Sequence, residues 1–177
     1  MLKNKPPHID IPEELWKEMM QNVRDGIFRK LKAARGSIAI DKDVAAGVYV
    51  YAVEEFGKLL LLKKATALNG MRRVIYRDEF VNHNRKFKAA FDWFQANGHD
   101  PLVISETWFV DGLFAWDIIE KRFLAETEAR LLIFYSDFTY DDKNQMIVIE
   151  RPPLVALDKL QKAIDGLDMA TNSLTIL

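Results

Sequence analysis

Two adjacent acids and a lysine interrupt an otherwise apolar run of this chain, AAGVYVYAVEEFGKLLLLKKA. At a helical advance of about 100° per residue, Glu54, Lys58, Tyr51 and Glu55 fall within one arc of about 100°, with Gly47 beside them. Val48, Val50, Val53, Phe56, Leu59, Leu60 and Leu62 help cover the remaining circumference, so the helix is expected to be surrounded by protein and its charges at least partly buried. Adjacent carboxylates in such a place need cations. Lys58 reaches Glu54 at i, i+4 but cannot neutralise both acids. The following segment is the best supplier of a second cation, because Glu79, His83 and Lys86 lie within about 60° of one another on a helical wheel. A histidine flanked by carboxylates can move a proton near neutral pH. Arg77 and His83 form an Arg-x5-His pair, the raw material of a metal-independent ribonuclease in which arginine holds phosphate charge while histidine transfers the proton. Six residues separate the two by about 120° on an uninterrupted helix, so they share a site only if a helix starts between them, bends, or meets a second subunit.

These residues leave two readings open. Glu54, Glu55, Lys58, His83 and Lys86 are either a structural polar network that fixes helix register or an active or sensing site, where perturbed ionisable groups concentrate. Other chemistries find less material. There are no cysteines, which excludes disulfides, thiolate zinc sites and a cysteine nucleophile. A carboxylate-bridged metal centre in a bundle uses Glu-x-x-His pairs from two helices, and none occurs. Neither a glycine-rich phosphate loop nor a serine triad is visible, so no metal and no cofactor are expected and a nucleotide binder is disfavoured. His8 and His99 are expected to be exposed and idle, and Trp16, Trp93, Trp108 and Trp116 to be core anchors.

The elements that must position the stripe are mainly helical. Residues 1–11 read as a loose arm and 12–177 as one domain, a size that buries a core without staples. Pro12 with Glu13 and Glu14 opens a first helix to about Arg35, with Gly36 to end it. A second, central helix runs from Asp41–Asp43 to Asn69-Gly70. Gly47 and Gly57 inside it point to close approach of another helix backbone. A third spans Arg72 to Ala96, and Leu102 to Arg130 reads as a fourth, broken near Gly112. LLIFYSDF and QMIVIE, with TYDDKN between them, form a small β-hairpin before a last helix that starts after Pro152-Pro153 and ends near Ala170. The composition, 49% apolar and 29% charged, is globular. The N-terminus lacks the apolar run of a signal peptide and no stretch reaches a membrane span of about 20 residues, so a cytoplasmic protein is expected. A net charge of -1 gives no global attraction to nucleic acid, so any RNA contact must be local.

The run AGVYVYAVEEFGKLLLLKKA followed by FVNHNRKF resembles the AbiV-type abortive-infection family, a branch of the helical HEPN superfamily. The family's Glu-Glu-x-x-Lys core is matched by Glu54, Glu55 and Lys58, and its His-x-x-Lys by His83 and Lys86. Its arginine before a Tyr-Asp-like extended segment is matched by Arg130, and its final proline by Pro152-Pro153. The matches run in order over residues 30–170. The resemblance implies a HEPN-like bundle of about five helices, often a homodimer, from proteins that halt growth of phage-infected cells. It also implies an RNA-targeting toxin or ribonuclease, with RNA or a phage- or translation-related protein as partner, and carries the Arg-x4-6-His pattern onto Arg77 and His83. The rival expectation is a non-catalytic interaction module in which the same stripe is structural.

Overall fold

The computed structural model describes residues 8–68, 72–100, 103–104, 114–117, 122–123, 138–140, 146–148 and 156–174. Helix α1, Glu13–Ser37, starts directly after Pro12 and carries Glu13 and Glu14 in its first turn, where acids suit the positive helix end. Trp16, Met20, Val23, Ile27, Leu31 and Ala34 form its buried stripe, spaced by three or four residues. A tight turn at Ser37, whose carbonyl accepts from the amides of Ile40 and Asp41 at 2.9 and 2.8 Å, reverses the chain. Asp41 then caps α2, Lys42–Lys63, by accepting from the amides of Asp43 and Val44. The two helices run antiparallel: the Trp16 indole, near the start of α1, donates to the Leu62 carbonyl near the end of α2 at 2.9 Å. α2 is buried on nearly its whole circumference, as its composition predicts, and ends at Lys63 rather than Asn69.

Where one helix over Arg72–Ala96 is expected, the chain forms three elements. β3, Arg72–Tyr76, is followed by a short helix α3, Arg77–Val81, and by α4, His83–Ala96. β3 is the centre of an antiparallel sheet with β1, His8–Pro12, on one side and β2, Thr66–Leu68, on the other. The expected loose arm is thus a paired strand from His8 onward. Ile11 and Ile75 are buried beneath the sheet, and Arg73 binds Glu13 through two hydrogen bonds of 2.7 and 3.1 Å while lying 4.1 Å over the Trp16 ring. The sheet is latched to the start of α1 by that contact.

The expected fourth helix is also corrected. β4, Val103–Ile104, pairs parallel with β5, Phe114–Asp117, which pairs antiparallel with β6, Arg122–Phe123. β-branched and aromatic residues supply most of these positions and suit a pleated surface. The hairpin before the last helix is present: β7, Phe138–Tyr140, pairs antiparallel with β8, Met146–Val148. Pairing reaches to Tyr140, two residues into the stretch read as turn, and residues 131–137 lie outside the described ones. α5, Leu157–Ser173, closes the bundle with Leu160, Ala163, Ile164, Leu167 and Ala170 buried. The protein is therefore mainly helical, with five helices among the described residues and a small antiparallel hairpin before the last. Among the described residues no helix is long and apolar enough to cross a membrane.

Candidate functional site

The site begins with a missing side chain. A Cβ at Gly57 would overlap the carbonyl of Lys86, so only glycine lets the backbones of α2 and α4 meet there. The expected backbone approach at Gly57 is present, and Gly47 is buried. Asn82 is extended, with φ -81° and ψ 116°, and its side chain accepts from the amides of Asn84 and Arg85. This cap starts α4 at His83 and puts His83 and Lys86, three residues apart, on one face.

That face meets Glu54. Lys86 Nζ donates to Glu54 Oε1 at 2.7 Å, and His83 Nδ1 lies 2.7 Å from the same oxygen. The lysine and glutamate side chains are only 9% and 12% exposed, whereas the imidazole is 46% exposed, so the ring joins a covered ion pair to the surface. Burial pushes the Glu54 carboxyl up, but Lys86 and then His83 outweigh it and hold the group below the usual carboxylate range. An ionised Glu54 requires the proton of a neutral His83 on Nδ1, which makes Nε2 the basic nitrogen.

Glu55 belongs to a different set. Consecutive residues point about 100° apart on a helix, so Glu55 faces α1 while Glu54 faces α4. Lys58 Nζ lies 3.5 Å from Glu55 Oε2, and Lys30 Nζ of α1 lies 3.8 Å from Oε1. Lys58 therefore pairs with Glu55 at i, i+3 rather than with Glu54 at i, i+4, and its ammonium stands 5.4 Å over the Phe80 ring. The second cation for the paired acids comes twice, Lys86 to Glu54 and Lys30 to Glu55. Lys30 was missed because it reads as part of the solvated face of α1, and only its opposition to Glu55 across the helix pair marks it.

A helix boundary does fall between Arg77 and His83, at Asn82. Even so, no ion pair or hydrogen bond joins Arg77 to Glu54, His83 or Lys86 among the described residues. Glu79, expected beside His83, instead pairs with Arg85 at 3.5 Å, because the break at Asn82 changes the phase between the two segments. Arg130 lies outside the described residues. His99 is not idle: its ring stacks on Trp93, centroids 5.4 Å apart and planes 14° apart. His8 lies half-exposed on β1, 3.9 Å from Asp10. Among the described residues no group of three or more histidine, aspartate or glutamate side chains gathers to hold a metal.

The assembled arrangement is a half-exposed imidazole oriented by a covered carboxylate, which is itself fixed by a covered ammonium. Such a group can take or give one proton at Nε2. No protein-family model, curated protein or solved structure matches this chain.

Proposed function

We propose that the chain is an abortive-infection protein of the AbiV type that halts growth by acting on RNA, with His83 as the proton-transferring group. The observation that carries this reading is the 2.7 Å contact of His83 Nδ1 with Glu54 Oε1, which fixes the ring while leaving it 46% exposed. The ordered resemblance to that family supports the same reading. Metal-independent cleavage needs a base for the ribose 2′-hydroxyl. His83 Nε2 takes that proton, the 2′-oxygen attacks phosphorus, and the 5′-oxygen leaves with a proton from solvent. The products are a 2′,3′-cyclic phosphate and a 5′-hydroxyl end. Lys86 is covered and committed to Glu54, so it positions the site, and Arg77 and Arg130 are the side chains proposed to stabilise phosphate charge. On this reading the protein works in the cytoplasm as a homodimer, on RNA or on a phage- or translation-related protein.

One observation favours a second reading. Lys86 bridges α4 to α2 at the glycine crossing, which is what a structural network in a non-catalytic interaction module would do. Expression of the chain beside His83→Ala separates the two. The catalytic reading predicts growth arrest with RNA fragments bearing 5′-hydroxyl ends, both lost in a variant whose melting temperature is unchanged within a few degrees. Arrest that persists in folded His83→Ala, or a variant that melts far below the parent, assigns the network to structure.

A further inference from the structure

A groove of about 260 Å³ opens where β3 parts from the chain that leaves α2. The ladder of β2 on β3 stops at Thr66 opposite Val74, while β3 continues to Tyr76. The two segments therefore diverge, and the groove lies between Lys64 and Ala65 on one side and Ile75 and Tyr76 on the other, with Glu79 and Phe80 of α3 beside it. Among the described residues its bottom is closed by Ala65 and Ile75, both buried. Its walls keep surface open to solvent: Leu61 and Phe80 are half-buried, and Tyr76 is 60% exposed.

The groove adjoins the His83 site. Leu61 follows Glu54 by seven residues, two turns of α2, so the two stand on one side of that helix about 10 Å apart along its axis. Between them Lys58 holds its ammonium 5.4 Å over the Phe80 ring, and Phe80 both lines the groove and precedes His83 by three residues. One nucleotide covers that distance from its phosphate to the edge of its base. With 25 basic against 26 acidic residues the chain as a whole does not attract a polyanion, so an RNA strand held here needs contacts to its bases as well as to its phosphates. Unpaired bases are flat, apolar on their faces and polar at their edges, and proteins hold them by stacking them on aromatic side chains. Tyr76 offers such a face, Leu61 and Phe80 offer apolar sides, and Lys64 and Glu79 offer a donor and an acceptor for a base edge. Glu79 pairs with Arg85 at 3.5 Å, but these side chains are 44% and 52% exposed, so the pair is weak and the carboxylate can turn. The volume lies just below the range of about 300–1,000 Å³ of sites that enclose a whole small molecule, which suits one ring system whose sugar and phosphate stay outside.

We infer that this groove is the subsite for the base of a nucleotide next to the scissile phosphate, stacked on Tyr76 with its sugar leading toward His83. The inference rests on the RNA reading given above. Calorimetric titration of the full chain with a 2′-O-methyluridine hexamer, whose blocked 2′-oxygens cannot attack phosphorus, tests it against the same sugar-phosphate hexamer without bases. The hexamer with bases is expected to bind saturably and more tightly than the abasic one. Tyr76→Ala, at an exposed ring, should weaken that binding about tenfold and leave abasic binding as it was, and Tyr76→Trp should restore the affinity of the parent. No saturable binding at millimolar concentration overturns the inference. Equal affinity for the two hexamers does the same, as does a Tyr76→Ala variant that binds as the parent does; the face of Tyr76 then belongs to a protein partner. The two readings fail separately. Base-dependent binding through Tyr76 that persists in His83→Ala, in a chain that yields no RNA fragments, keeps the subsite and refutes cleavage. Fragments lost in His83→Ala but formed by Tyr76→Ala with an unchanged KM refute the subsite alone.

Discussion

At the α2–α4 crossing one carboxylate, Glu54, holds two basic side chains; at the α1–α5 contact one guanidinium, Arg35, holds two acids. The hydrogen bonds are equally short. Arg35 reaches Asp165 at 2.9 Å and Asp168 at 2.6 Å, against 2.7 Å for both contacts at Glu54. Access to water is what separates the two places. Arg35 and Asp165 are 36% and 53% exposed, and solvent can replace either partner, whereas Lys86 and Glu54 are enclosed by two helix backbones that touch. Bond length alone therefore says little about what a charge contact contributes. An exposed network is worth about 1 kcal/mol or less, and a covered one costs several when half of it is removed.

Substitutions sharpen this contrast. Gly57→Ala should have the largest effect, because a methyl group against the Lys86 carbonyl forces two helices apart; a loss of about 3 kcal/mol or more is expected in urea unfolding. Gly36→Ala, where a Cβ meets nothing within 4 Å, is the matched control and should be neutral or stabilising by about 0.5–1 kcal/mol. Lys86→Ala comes next, at about 3 kcal/mol, since it strands a covered carboxylate, and Glu54→Gln placed on that background should return part of the loss. Arg35→Ala should cost about 1 kcal/mol or less. If it costs as much as Lys86→Ala, the argument from water access fails.

The smallest expected effect is on acid stability. The folded-state pKa of Glu54 lies below its unfolded value, so the stability that Glu54 contributes is complete above the ordinary carboxylate range and is lost as pH falls through the folded value. Melting temperature followed downward from pH 6 should decline less steeply in Glu54→Gln than in the parent. Parallel curves would mean that Glu54 is not held ionised by its partners.

α1 and α5 were legible in the sequence because each carries its own apolar period of three to four residues, α2 because its long apolar run has only one polar arc, and the glycine at 57 announced a helix contact. The pairing of Glu54 with Lys86 and His83 followed from the need to neutralise two acids. What escaped was decided by contacts far apart in the chain. Val74 and Ile75 fit a helical stripe as well as a strand, and only pairing with His8–Pro12 decides between them. Asn82 reads as one more helical position in the sequence, although in the fold it ends one segment and its side chain caps the next. The strands within residues 103–123 were hidden in the same way, since Phe114–Asp117 gains its identity from two partner strands. The assignment of Lys58 to Glu55 turned on one residue of helical phase. α2, the end of α4 and α5 converge around His99, and no local pattern signals such a convergence.

The contact at Gly57 also bears on how this arrangement would be recognised in other chains. Every alternative amino acid carries a Cβ, so position 57 has no tolerated neighbour in sequence space, while Gly36, open on all sides, has many. A chain that keeps the same crossing must keep a glycine three residues after its acid and bring it against the lysine of a His-x-x-Lys element. That short, widely spaced signature can persist when overall likeness has been lost, which makes Glu-x-x-Gly followed by His-x-x-Lys a more selective query than the surrounding apolar runs.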